Sequence, residues 1–270
     1  MSNTKNLRAS EDLLAPVYKF YFNGEYREAL SVLDDITQDF PNDPILFSLG
    51  GDCYVSLKQY ELAIQCYEEA LKLSPKNIKF MSKKIEVLCL CGKIEESLEL
   101  CYEAIMIAPD DSNLYLFQGN IFQELGRPEE SIDSYNKVIK LNPNSADAYC
   151  NMSNSLENLG KFDEAIIYAK KAIQIKPDFS LAFFNLGVAA MQTRSFDLSM
   201  KSFNKAIELQ PNLAKYEHAK ATLLLLFGDF KNGWNLWESR WNLDRLFSPK
   251  LDTNCPVWAG DKNSKLLVWA

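Results

Sequence analysis

The side chains in this 270-residue chain best suited to recognition chemistry are carboxamides, with a few carboxylates among them. Asn113, Asn120, Gln123 and Glu124 fall in one stretch, Asp147, Asn151, Asn154, Glu157 and Asn158 in a second, and Asn185 and Gln192 in a third. A carboxamide carries both an acceptor and donors, so a file of them matches the backbone of an extended peptide whatever its side chains. The alternative is a solvated helix face in an Asn-rich sequence. Groups that would support catalysis or metal binding are sparse. His218 is the only histidine, and no serine or cysteine can be assigned to it as a nucleophile, so no catalytic residue is expected. Cys89 and Cys91 form a CxC with Cys101 ten residues on, but a zinc site wants four ligands at closer pair spacing, and no metal is expected. Neither common spacing of a glycine-rich phosphate loop occurs, and no cofactor is expected.

The remaining cysteines (Cys53, Cys66, Cys150 and Cys255) share no regular spacing with these three. Reduced thiols packed in a core are expected rather than a disulfide scaffold. The chain is 47% hydrophobic and 24% charged, too apolar for a disordered chain. Its net charge of −7 argues against nucleic acid, whose phosphates need clustered Lys and Arg. No apolar run approaches the ~18 residues of a membrane span. The N-terminal residues lack the apolar core of a signal peptide, so the expected location is cytoplasmic.

The elements that must position the amides follow from a period. Prolines stand at 41, 75, 109, 143, 177 and 211, each 34 residues after the last. Setting proline at position 32 of a unit divides the chain into a lead, 1–9; seven units, 10–43, 44–77, 78–111, 112–145, 146–179, 180–213 and 214–247; and a tail, 248–270. The frame can be checked without the prolines. Position 20 reads Ala29, Ala63, Ser97, Ser131, Ala165, Ser199 and Gly233, all small, as expected where two helices approach most closely. Position 15 is glycine in five units and Lys58 or Arg194 in the other two, which suits a helix C-terminus needing positive φ. Position 17 is large and apolar in six units and Pro128 in the seventh, the start of a second helix.

This pattern resembles the tetratricopeptide-repeat family, whose unit is a 34-residue helix–turn–helix. The resemblance covers about nine tenths of the chain. It implies an all-α right-handed superhelix of about fourteen helices, each pair burying its apolar face against its neighbours. Pro16 falls inside the first helix of the first unit, where a late start or a kink is expected. The family places ligand-facing residues at positions 2, 5, 6, 9, 12 and 13 of the first helix of each unit. That puts the amides above on the concave face, with Asn120, Asn154 and Asn185 on one path and a protein or extended peptide as partner. The file is similar to the asparagine ladder of O-linked N-acetylglucosamine transferase superhelices. Clamp-type repeat proteins that grip chaperone C-termini use Lys, Asn and Arg there, and no such basic set is read in this sequence.

From Gly228 the composition changes, and all five tryptophans follow: Trp234, Trp237, Trp241, Trp258 and Trp269. The first three share one face of the last helix and could cap the stack. The segment 265–270, KLLVWA, reads as a single strand after a loop holding Pro256, Gly260 and Asn263. One strand is not stable alone, so a truncated following domain is expected. The run Gly228, Asp229, Phe230, Gly233, Trp234, Trp237, Glu238, Arg240, Trp241 resembles the junction of bacterial repeat proteins that lead into a glycosyltransferase-like domain. That resemblance implies an acceptor-recognition role for a chain itself catalytically inert. A stand-alone interaction scaffold is the other expectation.

Overall fold

The computed structural model describes residues 8–239, apart from 212. Among the described residues there are fourteen α-helices and no strand. The odd-numbered helices are α1 (Glu11–Phe22), α3 (Pro44–Ser56), α5 (Ile78–Leu90), α7 (Ser112–Glu124), α9 (Ala146–Asn158), α11 (Ser180–Gln192) and α13 (Ala214–Leu226). Between them run α2 (Tyr26–Asp39), α4 (Tyr60–Leu73), α6 (Ile94–Ile107), α8 (Pro128–Leu141), α10 (Phe162–Ile175), α12 (Phe196–Leu209) and α14 (Phe230–Trp237). The strand expected at 265–270, and Trp241, Trp258 and Trp269, lie outside the described residues. No described helix is long and apolar enough to cross a membrane.

The helix boundaries follow from local chemistry. Every even helix from α2 to α12 stops two residues ahead of a proline, because the residue before proline is pushed out of the α region. Two residues beyond four of these prolines, a polar side chain opens the next helix, whereas Phe179 and Leu213 stand at that place before α11 and α13. Asp43, Asn77, Asp111 and Ser145 each accept a hydrogen bond from a backbone N–H of the first turn. Between the helices of a pair the chain turns through the left-handed region at all seven expected positions. Gly24, Gly92, Gly126, Gly160 and Gly228 have φ of 68–82°, and Lys58 and Arg194 adopt 59° and 57° despite their side chains. Pro16 does not delay its helix. α1 is capped by Ser10, starts at Glu11 and runs on through the proline.

Odd helices form one layer: α7, α9, α11 and α13 touch one another in succession along the stack. Each even helix packs chiefly on the odd helices before and after it. The small residues at position 20 are all buried at the crossing of each pair. Where that residue is serine, its hydroxyl donates to a carbonyl, Ser97 to Ile85 and Ser199 to Gly187, so no polar group is stranded.

A size exchange fills the space beside four of the crossings. Gly51, Gly119 and Gly187 face the buried rings of Tyr67, Tyr135 and Phe203, and a Cβ at any of them would lie within 2.4–2.6 Å of the ring. In the pair α5–α6 the volumes reverse, and Ile85 sits with the small Cys101 in one core cluster. In these four pairs one large and one small side chain share the space, as close packing favours.

Candidate functional site

The two central odd helices carry most of the amides, and the structure joins them into one network. Asn120 Oδ1 accepts from the Tyr135 hydroxyl at 2.8 Å and from Asn151 Nδ2 at 2.9 Å. Gln123 Nε2 lies 2.8 Å from Ser155 Oγ, 3.0 Å from the Asn151 carbonyl and 3.2 Å from Asn154 Oδ1. Beneath it, Ser155 and Ser131 are hydroxyl to hydroxyl at 2.7 Å. These bonds tie α7 to α9 and fix the amide planes. Asn113, Glu124, Asp147, Asn158 and Gln192 are exposed near the ends of their helices. Asn185 is 2% exposed and lies below the path expected for it, its Nδ2 donating to the Cys150 carbonyl at 3.1 Å.

The network leaves capacity unused. Among the described residues, the side-chain amino groups of Asn120 and Asn154 and the side-chain Oδ1 of Asn151 make no hydrogen bond to protein. These three groups are half-buried, held in place by their own other halves, and offer alternating donors and an acceptor. One ionisable group stands beside them. Glu157 is half-buried, and burial pushes its carboxyl up to about 7, opposed by the charge of Lys215. Lys215 Nζ in turn sits 4.5 Å from the Phe184 ring, which stacks on Tyr216.

The same face of the first three odd helices holds a cavity of about 490 Å³. Its walls include Tyr18, Tyr21 and Phe22 from α1, Leu49 from α3 and Phe80 from α5. Three cations, Arg8, Lys79 and Lys83, also line it, with Asp52 as its single acid. This basic set, not expected from the sequence, lies in the first units and not the central ones, and Arg8 comes from the lead ahead of α1. The signal was present in Lys79 and Lys83, positions 2 and 6 of the unit 78–111.

The other candidate groups are placed elsewhere. His218 packs its ring 4.3 Å from that of Trp237, so α13 and α14 are joined by an imidazole–indole contact. Trp237 meets Trp234 edge to face at 6.1 Å, and Trp234 is 56% exposed. Cys89 pairs with the Ser97 hydroxyl, Cys91 donates to Glu61, and Cys101 is buried against the Leu114 carbonyl. Among the described residues no three His, Cys, Asp or Glu side chains converge on a common point for a metal. Burial pushes the thiols of Cys101 and Cys150 up to about 12 and those of Cys53 and Cys66 up to about 11. These are inert core thiols.

Comparison with known proteins agrees with this architecture. Tetratricopeptide-repeat models match residues 51–77, 146–179 and 181–213, and a TPR-repeat model matches 119–160. Anaphase-promoting complex subunit 3 of Schizosaccharomyces pombe is 32% identical over 84 residues, 31% of this chain. The matched stretch spans 13% of that relative's length. A tetratricopeptide repeat protein from Parabacteroides merdae is 15% identical and superposes with a TM-score of 0.74, covering 87% of this chain and 93% of that one. YrrB, a TPR protein with an unusual peptide-binding site, is 21% identical with a TM-score of 0.53, covering 70% of this chain and 97% of that one.

Proposed function

We propose, from the premise that this chain is a tetratricopeptide-repeat protein, that it is an interaction scaffold holding an extended polypeptide along its odd-numbered helices. The observation that carries this reading is the set of unused, pre-oriented amide groups on Asn120, Asn151 and Asn154. An extended peptide presents N–H and C=O groups alternately, and fixed amides meet them without losing rotamer entropy on binding. The odd helices touch along the stack and the even ones are spread apart. In this reading the odd layer is therefore the concave side of a right-handed superhelix of seven units. Its chemistry is binding, with no catalytic step assigned to any residue of the chain. The peptide-binding site of YrrB supports the same ligand class.

The finer reading is that the scaffold delivers a polypeptide acceptor to a glycosyltransferase-like domain. It is supported by the residues from Gly228 to Trp241 that resemble such a junction. The coding sequence downstream of Ala270 tests it, and a stop codon there would leave the stand-alone scaffold.

The binding reading is tested with the Asn151→Ala/Asn154→Ala variant on an array of unstructured peptides. Capture is expected to fall about tenfold, the effect of losing two or three oriented hydrogen bonds. A variant that melts like the parent yet captures as well would reduce the amides to inter-helix struts.

A further inference from the structure

We infer that the cavity between α1, α3 and α5 is a specificity pocket for an internal acidic–aromatic segment of the bound polypeptide. This deepens the proposed function, on which it rests.

The chain carries −7 overall, yet cations outnumber acids by three to one in the lining of this cavity. The deepest of them is already neutralised. Lys83 is ion-paired with Asp52 and lies 3.2 Å from Ser48 Oγ, and Asp52 also accepts from the Tyr67 hydroxyl at 2.7 Å. Arg8 and Lys79 remain. Both are exposed, and among the described residues neither belongs to an ion pair. They approach the cavity from different elements, the lead before α1 and the first turn of α5. An anionic ligand is therefore met at the mouth and not at the floor.

The apolar wall indicates what goes between the two cations. Phe22 is 81% exposed at the end of α1, and Tyr21 meets its ring edge to face at 5.8 Å. Tyr18 stacks on Phe22 at 6.5 Å. Exposed aromatic rings held in such a cluster lose little entropy when they take up a further ring, which is why aromatic anchors dominate interfaces. The volume of about 490 Å³ accommodates one large side chain and the turn of backbone bearing it. A chain-terminal carboxylate would need an unneutralised cation at the floor, and the Asp52–Lys83 pair removes that possibility. The occupant is thus an aromatic residue flanked by Asp or Glu within a chain, and the amides of α7 and α9 engage the backbone further along.

The test uses fluorescence anisotropy of the full chain with a labelled heptapeptide amide, Gly-Ser-Asp-Phe-Asp-Ser-Gly. A Kd on the order of 10–100 µM is expected, as for one anchor with two ion contacts. Phe22→Ala and Lys79→Glu, both at exposed positions, should each weaken it about tenfold, and so should raising NaCl from about 50 to about 500 mM. The proposal is overturned by absence of binding at millimolar peptide, or by equal affinity for the peptide with Asn in place of Asp or Ala in place of Phe. Equal affinity of the Lys79→Glu variant, or binding only of a free-acid peptide without side-chain carboxylates, also overturns it. If the heptapeptide fails while array capture persists and depends on Asn151 and Asn154, this pocket falls and the amide reading stands.

Discussion

Replacing Gly119 with isoleucine is expected to destabilise the chain by about 3 kcal/mol or more, the upper range of overpacking costs in a filled core. The new Cβ alone would lie 2.4 Å from the Tyr135 ring, which is fully buried and anchored by its hydroxyl to Asn120, so the ring has nowhere to swing. The same volume is tolerated one unit earlier, where Ile85 shares its cluster with Cys101. Adding Tyr135→Cys to Gly119→Ile should therefore restore roughly half of the lost stability, about 1–2 kcal/mol relative to Gly119→Ile alone, so the two changes are strongly non-additive. Denaturant melts of the parent, both single variants and the double variant measure this directly. A cost for Gly119→Ile below about 0.5 kcal/mol would mean the two helices separate freely there, contrary to the packing described.

The second large effect is set by pH. Burial raises the Glu157 carboxyl from its ordinary 4.5 to about 7, so the folded chain holds this proton more tightly than the unfolded chain. Its contribution is most favourable below pH 4.5, where both states are protonated, and is lost as pH rises through 7. Above that range the folded state carries a half-buried carboxylate that Lys215 only partly compensates. Glu157→Gln removes the ionisation while keeping the shape. We expect it to raise stability by about 2 kcal/mol at pH 8, discounted from the full shift for partial solvent screening, and by nearly nothing at pH 4.5. A constant difference between the two pH values would place the carboxylate in open solvent.

The positions that announced themselves in the sequence are those where one residue obeys one constraint. Proline two residues past a helix end, a small residue at the crossing, and glycine at a left-handed turn each need no knowledge of a partner. Lys58 and Arg194 turn through the left-handed region as the glycines do, because the turn geometry is set by the helices on either side. The exchange of volume between Gly119 and Tyr135, or Ile85 and Cys101, is a property of pairs and does not show at either position alone. The amides illustrate the same limit. Their types were readable, but whether a carboxamide faces solvent, braces a neighbour or lies buried depends on what stands opposite. Asn185 meets the Cys150 carbonyl and is removed from the surface, whereas Asn154 keeps its amino group available. The cavity between α1, α3 and α5 was hidden because Arg8, Lys79 and the α1 aromatics belong to three separate stretches of chain.

The claim on which the account depends is that a polypeptide lies on the odd-numbered helices. Photo-crosslinking of an unstructured benzophenone-bearing peptide, followed by mass-spectrometric mapping, tests it most directly. The account predicts crosslinks on α7 and α9 around Glu124, Asn154 and Asn158. Crosslinks confined to the even helices, at exposed residues such as Tyr102, Met106 or Ile167, would contradict it.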